Sequence, residues 1–307
     1  MWSFDLTDLC DPAALDDGPE IPDNGPNALA GDEPGPAAGA GDEPVVDHDV
    51  IARQVPACFP AVAAEVGRRL FEGPGFVVVR GFPVGAGQRR RTVALYAWIM
   101  ARFGLLLPQN TASDDLYLVR TKGLGADRQY GSRGSGELLF HTDQAAAPHH
   151  LLPAVLGLLC LDRAADGGDT QLVSGHARLT DLLDVDPRLV DALVAEAPFG
   201  RENDGVSDAA PVVARPIGFD DRGRARLRYN RFFCEVGAAA TGRTLAPDMV
   251  AAFDAIDELF DRGHLPHRML LQPGEALFAD NSVVMHNRSA YVDDDEHRRC
   301  LVRAWSR

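Results

Sequence analysis

Leu138-Leu139-Phe140-His141-Thr142-Asp143 is the stretch on which the reading of the chain turns. Its apolar lead-in reads as a β-strand, and in a strand side chains two residues apart point to the same side. His141 and Asp143 can therefore reach one metal ion. Two imidazoles and one carboxylate on one side of an ion, with the opposite side open, form the ligand set of non-haem iron(II) oxygenases. By itself an H-x-D triplet is a weak motif, and a His–Asp ion pair at a strand end reads equally well from it. Asn281-Ser282-Val283-Val284-Met285-His286 supplies a second histidine at the end of an apolar strand. A lone histidine there is ordinarily a hydrogen-bonded structural residue. This one is followed by Arg299 and Arg303. Read as one strand, Arg299, Leu301 and Arg303 share a face, and guanidiniums on a buried face need anionic partners. A dicarboxylate and an anionic small molecule would provide them; the plainer alternative is a basic edge turned to solvent.

Working outward, Phe59, Val62, Val66 and Leu70 are spaced as one face of a helix, which Gly73-Pro74-Gly75 ends. Residues 76–79 read as a buried strand. Residues 92–103 read as a helix with Gly104 beyond its end, and residues 116–119 as a short strand. Strands follow over 138–143 and 155–161, and amphipathic helices over 186–195 and 247–261. Between those helices, residues 226–233 alternate like a strand. The last third gives strands over 268–271, 276–278, 283–286 and 299–305. Many short strands with a few helices predict a mainly β fold with flanking helices, built on a double-stranded β-helix (jelly-roll, cupin-like) core. No GxGxxG opens a helix after a strand and no Walker A motif occurs, which argues against a nucleotide-binding α/β fold.

Residues 16–47 are rich in Gly, Pro, Ala, Asp and Glu, with GDEP occurring twice. Such a segment buries too little apolar surface to offset its ordering entropy. The expected division is a largely flexible N-terminal segment, 1–48, and one oxygenase domain, 49–307. The start, residues 2–9, either docks on the body or frays. Residues 123–136 form a Gly-rich loop suited to a lid or pocket rim.

The formal net charge is -15 over 307 residues, so neither nucleic acid nor an anionic membrane is an expected partner. The basic charge is almost all arginine, Lys122 being the single lysine. No apolar run approaches the roughly 20 residues of a membrane helix, and the acidic start does not read as a secretory signal. Five widely spaced cysteines without a C-x-x-C pair support neither a disulfide framework nor a zinc cluster. A cytoplasmic, reducing location is expected.

With these residues in place, the chain resembles the taurine dioxygenase and clavaminate synthase-like superfamily of Fe(II)/2-oxoglutarate-dependent oxygenases. The resemblance runs from about Phe76 to Trp305. GFVVVRGF (75–82) is similar to an early core strand of that family, and ELLFHTD (137–143) to its metal-binding strand. Gly167-Gly168-Asp169-Thr170 resembles its GGDT segment. The block from HNRSAY to RRCLVRAW (286–305) resembles its C-terminal signature. The resemblance implies Fe(II), 2-oxoglutarate as cosubstrate and O2. It implies His141, Asp143 and His286 as metal ligands, and Thr170 with Arg299 as the grip on the distal carboxylate of 2-oxoglutarate. It implies Arg303 for the acidic group of the substrate, with Gln109 and Ser132 or Ser135 as candidates for its backbone. Asp143 departs from the glutamate usual in the family's arginine hydroxylases, and no acidic pair stands ready for a guanidinium, so arginine is not the expected substrate. Asp143 also fills the position that related halogenases leave small, which favours oxygenation.

The expected function is hydroxylation of an unactivated C–H of a free or carrier-tethered amino acid or related amine-bearing acid, with release of succinate and CO2. Three alternatives stay open: the same chemistry ending in desaturation or cyclisation, a non-catalytic jelly-roll ligand-binding protein, and a zinc hydrolase on the same triad. Arg228, Asn230 and Arg231 either face the substrate or lie at a solvent edge. His149 and His150 line the pocket mouth or sit in a solvated turn.

Overall fold

Alternating side chains give each strand two apolar faces, and two sheets packed between helices are what buries both. The computed structural model describes residues 2–16, 55–85, 87–109, 114–121, 134–200, 210–262 and 264–307. In chain order the core strands are β1 (Ser3–Asp5), β2 (Phe76–Arg80), β3 (Leu116–Val119), β4 (Leu138–His141) and β5 (Val155–Asp162). They continue with β6 (Thr170–Ser174), β7 (His267–Met269), β8 (Ala276–Asp280), β9 (Val284–Arg288) and β10 (Cys300–Ser306). The helices are α1 (Phe59–Phe71), α2 (Arg89–Met100), α3 (Gly175–Val185), α4 (Pro187–Val194), α5 (Arg231–Ala240) and α6 (Pro247–Arg262).

The six-stranded sheet runs β1-β2-β8-β5-β10-β3 and the four-stranded sheet β7-β6-β9-β4. All neighbours pair antiparallel except β1 on β2. This is the expected jelly-roll sandwich with helices on its flanks.

Strand parity explains the layers. In β2, Val77 and Val79 join the cluster under α1 and α2, while Phe76 and Val78 turn to the space between the sheets. In β10, Val302 and Ala304 face the helices and Leu301 faces the interior. In β9, Met285 packs outward against the cluster formed by α3 to α6, and Val284 packs inward. Full burial of a Val, Leu or Phe side chain contributes roughly 1.5–3 kcal/mol of transfer free energy. The same parity turns His286, two residues beyond Val284, into the interior.

The N-terminal arm docks. β1 extends the large sheet, and the Val78 N–H donates to the Trp2 carbonyl at 2.9 Å. Cys10 and Cys58 form a disulfide across a sequence separation of 48, which corrects the expectation that no disulfide forms. The spacing hides the pair because only docking of the arm beside the start of α1 brings the two together.

One other expectation gives way. Residues 226–233 are not one strand: Ala225–Leu227 pairs with Ile217–Phe219, and α5 begins at Arg231. Asn230 ends the strand pattern by capping that helix, its side chain accepting from the Phe233 N–H at 3.0 Å. Helix α3, capped by Ser174, follows β6 directly and had no counterpart in the sequence reading. Of the proposed flexible segment 1–48, residues 1 and 17–48 lie outside the described residues, as do residues 123–133 of the Gly-rich loop. Among the described residues no helix is long and apolar enough to cross a membrane.

Candidate active site

β4 is an edge strand whose last residue, His141, lies directly across from His286 of β9. Asp143 sits two residues further on, in the turn beyond the strand. One donor atom from each of the three residues falls within 4.8 Å of the others. Asp143 Oδ1 stands between the imidazoles, 3.3 Å from His141 Nε2 and 3.5 Å from His286 Nε2.

Neighbouring groups fix His141 and Asp143. His141 Nδ1 lies 2.7 Å from the Leu139 carbonyl. A carbonyl can only accept, so the proton is on Nδ1 and the Nε2 lone pair is left for a metal. Asp143 Oδ2 accepts the Trp305 Nε1–H at 2.7 Å, leaving Oδ1 toward the histidines. Asn281 clamps the Asp143 backbone: its Oδ1 accepts the N–H at 2.8 Å and its Nδ2 donates to the carbonyl at 3.1 Å. Next comes Gln144 at φ 58, the only non-glycine with positive φ among the described residues. Buried Arg228 holds the turn that follows, donating to the Ala145 carbonyl at 2.6 Å and to that of Ala147.

Burial pulls His286 below its ordinary value, and the neighbouring His141 adds to that, so His286 is neutral at neutral pH. Burial opposes ionisation of Asp143, yet the His141 and His286 rings beside it, together with the charge of Arg303, hold its carboxyl well below the carboxylate range. Two imidazole nitrogens and a carboxylate are the donor set that iron(II) takes.

Thr170 and Arg299 line one cavity with Cys160, Leu271 and Leu301. Both are buried, at 3% and 5% exposure. β10 starts one residue after Arg299 and its register shifts between Cys300 and Leu301. Arg299 still turns inward with Leu301, as the sequence predicts. Gly168, at φ +79, makes room for it: a Cβ there would stand 3.2 Å from Arg299 Nε. Arg299 Nη1 is buried without a hydrogen-bond partner among the described residues.

Arg303, on the same side of β10, is half-buried. Its Nε donates to Gln109 Oε1 at 2.9 Å, and its guanidinium lies 4.1 Å from the Trp305 ring centroid. The structure thus brings Gln109 and Arg303 together. Ser135 is half-buried and uses its carbonyl, which accepts the Tyr291 N–H at 3.0 Å; Ser132 lies outside the described residues.

Arg228, Asn230 and Arg231 hold loop, helix cap and surface acids, Arg231 reaching Glu235 at 2.8 Å and Asp257 at 2.5 Å. His149 and His150 are exposed in a short 3-10 turn.

Trp305, Asn281 and Arg288 were missed in the sequence. Two of them carried a signal: Trp305 lies two residues past Arg303, and Arg288 two past His286, so strand parity turns both inward. Asn281 carried none, because its role depends on a turn far away in the chain.

The chain is similar to several known proteins. FR-33289 synthase of Streptomyces rubellomurinus is 25% identical over 249 residues, covering 80% of this chain and 72% of that protein. L-asparagine oxygenase of Streptomyces coelicolor is 30% identical over 251 residues, covering 74% of this chain and 69% of that protein. A solved asparagine oxygenase in complex with Fe(II), 2S,3S-3-hydroxyasparagine and succinate shares the fold. It superposes with a TM-score of 0.71 at 20% identity, covering 99% of this chain and 93% of that one. Residues 46–305 match the family described as taurine catabolism dioxygenase TauD, TfdA family, and the chain belongs to that family of iron- and 2-oxoglutarate-dependent dioxygenases.

Proposed function

We propose that the protein hydroxylates an unactivated C–H of a free or carrier-tethered amino acid, or of a related small amine-bearing acid. A C–H, O2 and 2-oxoglutarate become C–OH, succinate and CO2, so atoms and electrons balance. The observation that carries this reading is Asp143 Oδ1 set between two imidazole nitrogens at 3.3 and 3.5 Å. The Thr170–Arg299 cavity supports it. In this reading His141, Asp143 and His286 hold Fe(II). Once bound, the iron supplies the activation of O2 that the side chains cannot.

The remaining work belongs to the chain's own residues. Thr170 and Arg299 hold the distal carboxylate of 2-oxoglutarate, a charge-assisted contact that satisfies a buried donor. Arg303, oriented by Gln109 and the Trp305 ring, takes the acidic group of the substrate and leaves its C–H bonds turned to the metal. Ser132 or Ser135 is the proposed contact for the substrate backbone. Relatives that act on asparagine support an amino-acid substrate. A cytoplasmic setting suits a cofactor that must stay ferrous, and the Cys10–Cys58 disulfide, which a reducing compartment disfavours, is the observation against it.

Anaerobic reconstitution with Fe(II) and 2-oxoglutarate, then exposure to O2 with a panel of amino acids and carrier-bound aminoacyl groups, tests the proposal. Succinate release coupled to a product heavier by one oxygen atom is expected. A product lighter by two hydrogens would instead assign desaturation or cyclisation. Binding of a panel member without succinate release would make the protein a ligand-binding jelly roll.

A further inference from the structure

Arg288 is the last residue of β9, two beyond His286, and faces the same interior space. Its partner across the ladder is Thr170. It is 4% exposed. Its Nη2 donates to the Gly134 carbonyl at 2.9 Å and to that of Gly136. Its Nε and Nη1 are buried and have no hydrogen-bond partner among the described residues. Tyr291 links it to Arg299: the two guanidiniums lie 4.9 and 5.1 Å from that one ring centroid. Two like charges with open donors, buried beside a threonine, are costly unless an anion joins them.

We infer that Arg288 is a second cosubstrate-binding cation: one carboxylate, the distal end of 2-oxoglutarate, lies between Arg288 and Arg299, with Thr170 donating to it. This rests on the reading of the site as a 2-oxoglutarate site. A carboxylate suits the place because its two oxygens offer about four lone-pair directions, enough for one open Arg288 N–H, the Arg299 Nη1 and the Thr170 hydroxyl. The cross-strand position of Thr170 places its hydroxyl on the side from which both guanidiniums arrive. The consequence is selectivity: a 2-oxo acid of the same chain length without the distal carboxylate leaves both arginines unanswered.

The test compares 2-oxoglutarate with 2-oxopentanoate, which keeps the metal-chelating end and lacks the distal carboxylate. Both are titrated anaerobically into the Fe(II)-loaded full chain, wild type and Arg288→Met, following the metal-to-ligand charge-transfer band. Thermal shifts of the metal-free protein with each compound give a second readout. Arg288→Met should weaken 2-oxoglutarate about 10- to 100-fold and leave 2-oxopentanoate within about 2-fold. Equal losses for both compounds would show that Arg288 only braces the Gly134 and Gly136 carbonyls and would overturn the inference, as would unchanged 2-oxoglutarate affinity. If Arg288→Met does not fold, Arg288→Gln, which keeps an N–H donor for those carbonyls, carries the same comparison with the same outcomes. Failure of wild type itself to bind 2-oxoglutarate would instead reject the underlying site reading.

Discussion

Around His141 and Asp143 the protein's own groups hold the ligands in place, whereas two residues beyond His286, at Arg288, buried donors face no acceptor among the described residues. Around Asp143, Trp305, Asn281 and Leu139 between them fix the second carboxylate oxygen, the backbone and the tautomer of His141. Around Arg299 and Arg288, guanidinium nitrogens stay open among the described residues. The difference teaches how binding free energy is divided. The metal end is organised before anything binds, so an ion meets ligands already oriented. The arginine end carries an electrostatic cost that only an anion relieves, so occupancy there should feed back on stability.

Removing a ligand from the organised end should have the largest effect. His141→Ala is expected to weaken Fe(II) binding by roughly 1000-fold, since one of three protein ligands is gone; anaerobic titration with metal analysis of the protein measures it. Near-parental iron affinity would break the comparison at its root. Arg299→Ala should leave iron binding intact and weaken 2-oxoglutarate by roughly 100-fold, the cost of truncating one partner of a buried charge pair. If iron affinity falls in step, the two ends are not separable. Trp305→Phe keeps the ring under Arg303 and removes the donor to Asp143, so Fe(II) affinity should drop about 10-fold. The Co(II) absorption spectrum should change with it, because the freed Oδ2 can then reach the metal.

Acidification gives the smallest and most graded effect. His286 lies below its ordinary value of 6.5 in the folded chain, through burial and the nearby His141. The folded state therefore binds fewer protons than the unfolded chain between that lowered value and 6.5. The stability tied to His286 is fully present above 6.5 and is lost as pH falls through the lowered value. Metal affinity should follow the same direction, falling by at most about tenfold per pH unit for a single competing proton. Denaturation midpoints and Co(II) titrations of wild type between neutral and mildly acidic pH check both signs. Metal affinity that rises on acidification would remove His286 from the ligand set.

How much of this was legible beforehand varies residue by residue. The strands around His141, His286 and Arg299 were readable because apolar runs and period-two alternation are local properties. Arg299 was placed correctly although its strand begins a residue later and carries an irregular register, because the parity from Leu301 survives. The strand expected over 226–233 broke where Asn230 caps α5, a case of cap chemistry outweighing alternation. Cys10 and Cys58 gave no sign of pairing, and Gln109 gave none of meeting Arg303, since each contact closes a long loop.

By itself the sequence determined the jelly-roll class, the three metal-ligand candidates and the Thr170–Arg299 pair, because residue type, strand parity and motif resemblance are all written along the chain. Only the tertiary structure decided that Trp305 holds the second oxygen of Asp143, that Asn281 clamps its backbone and that Arg288 stands with Arg299 over Tyr291. These depend on which strands lie side by side and in what register. Register is set by the packing of both sheets against their helices, a sum over the whole core that no local stretch contains.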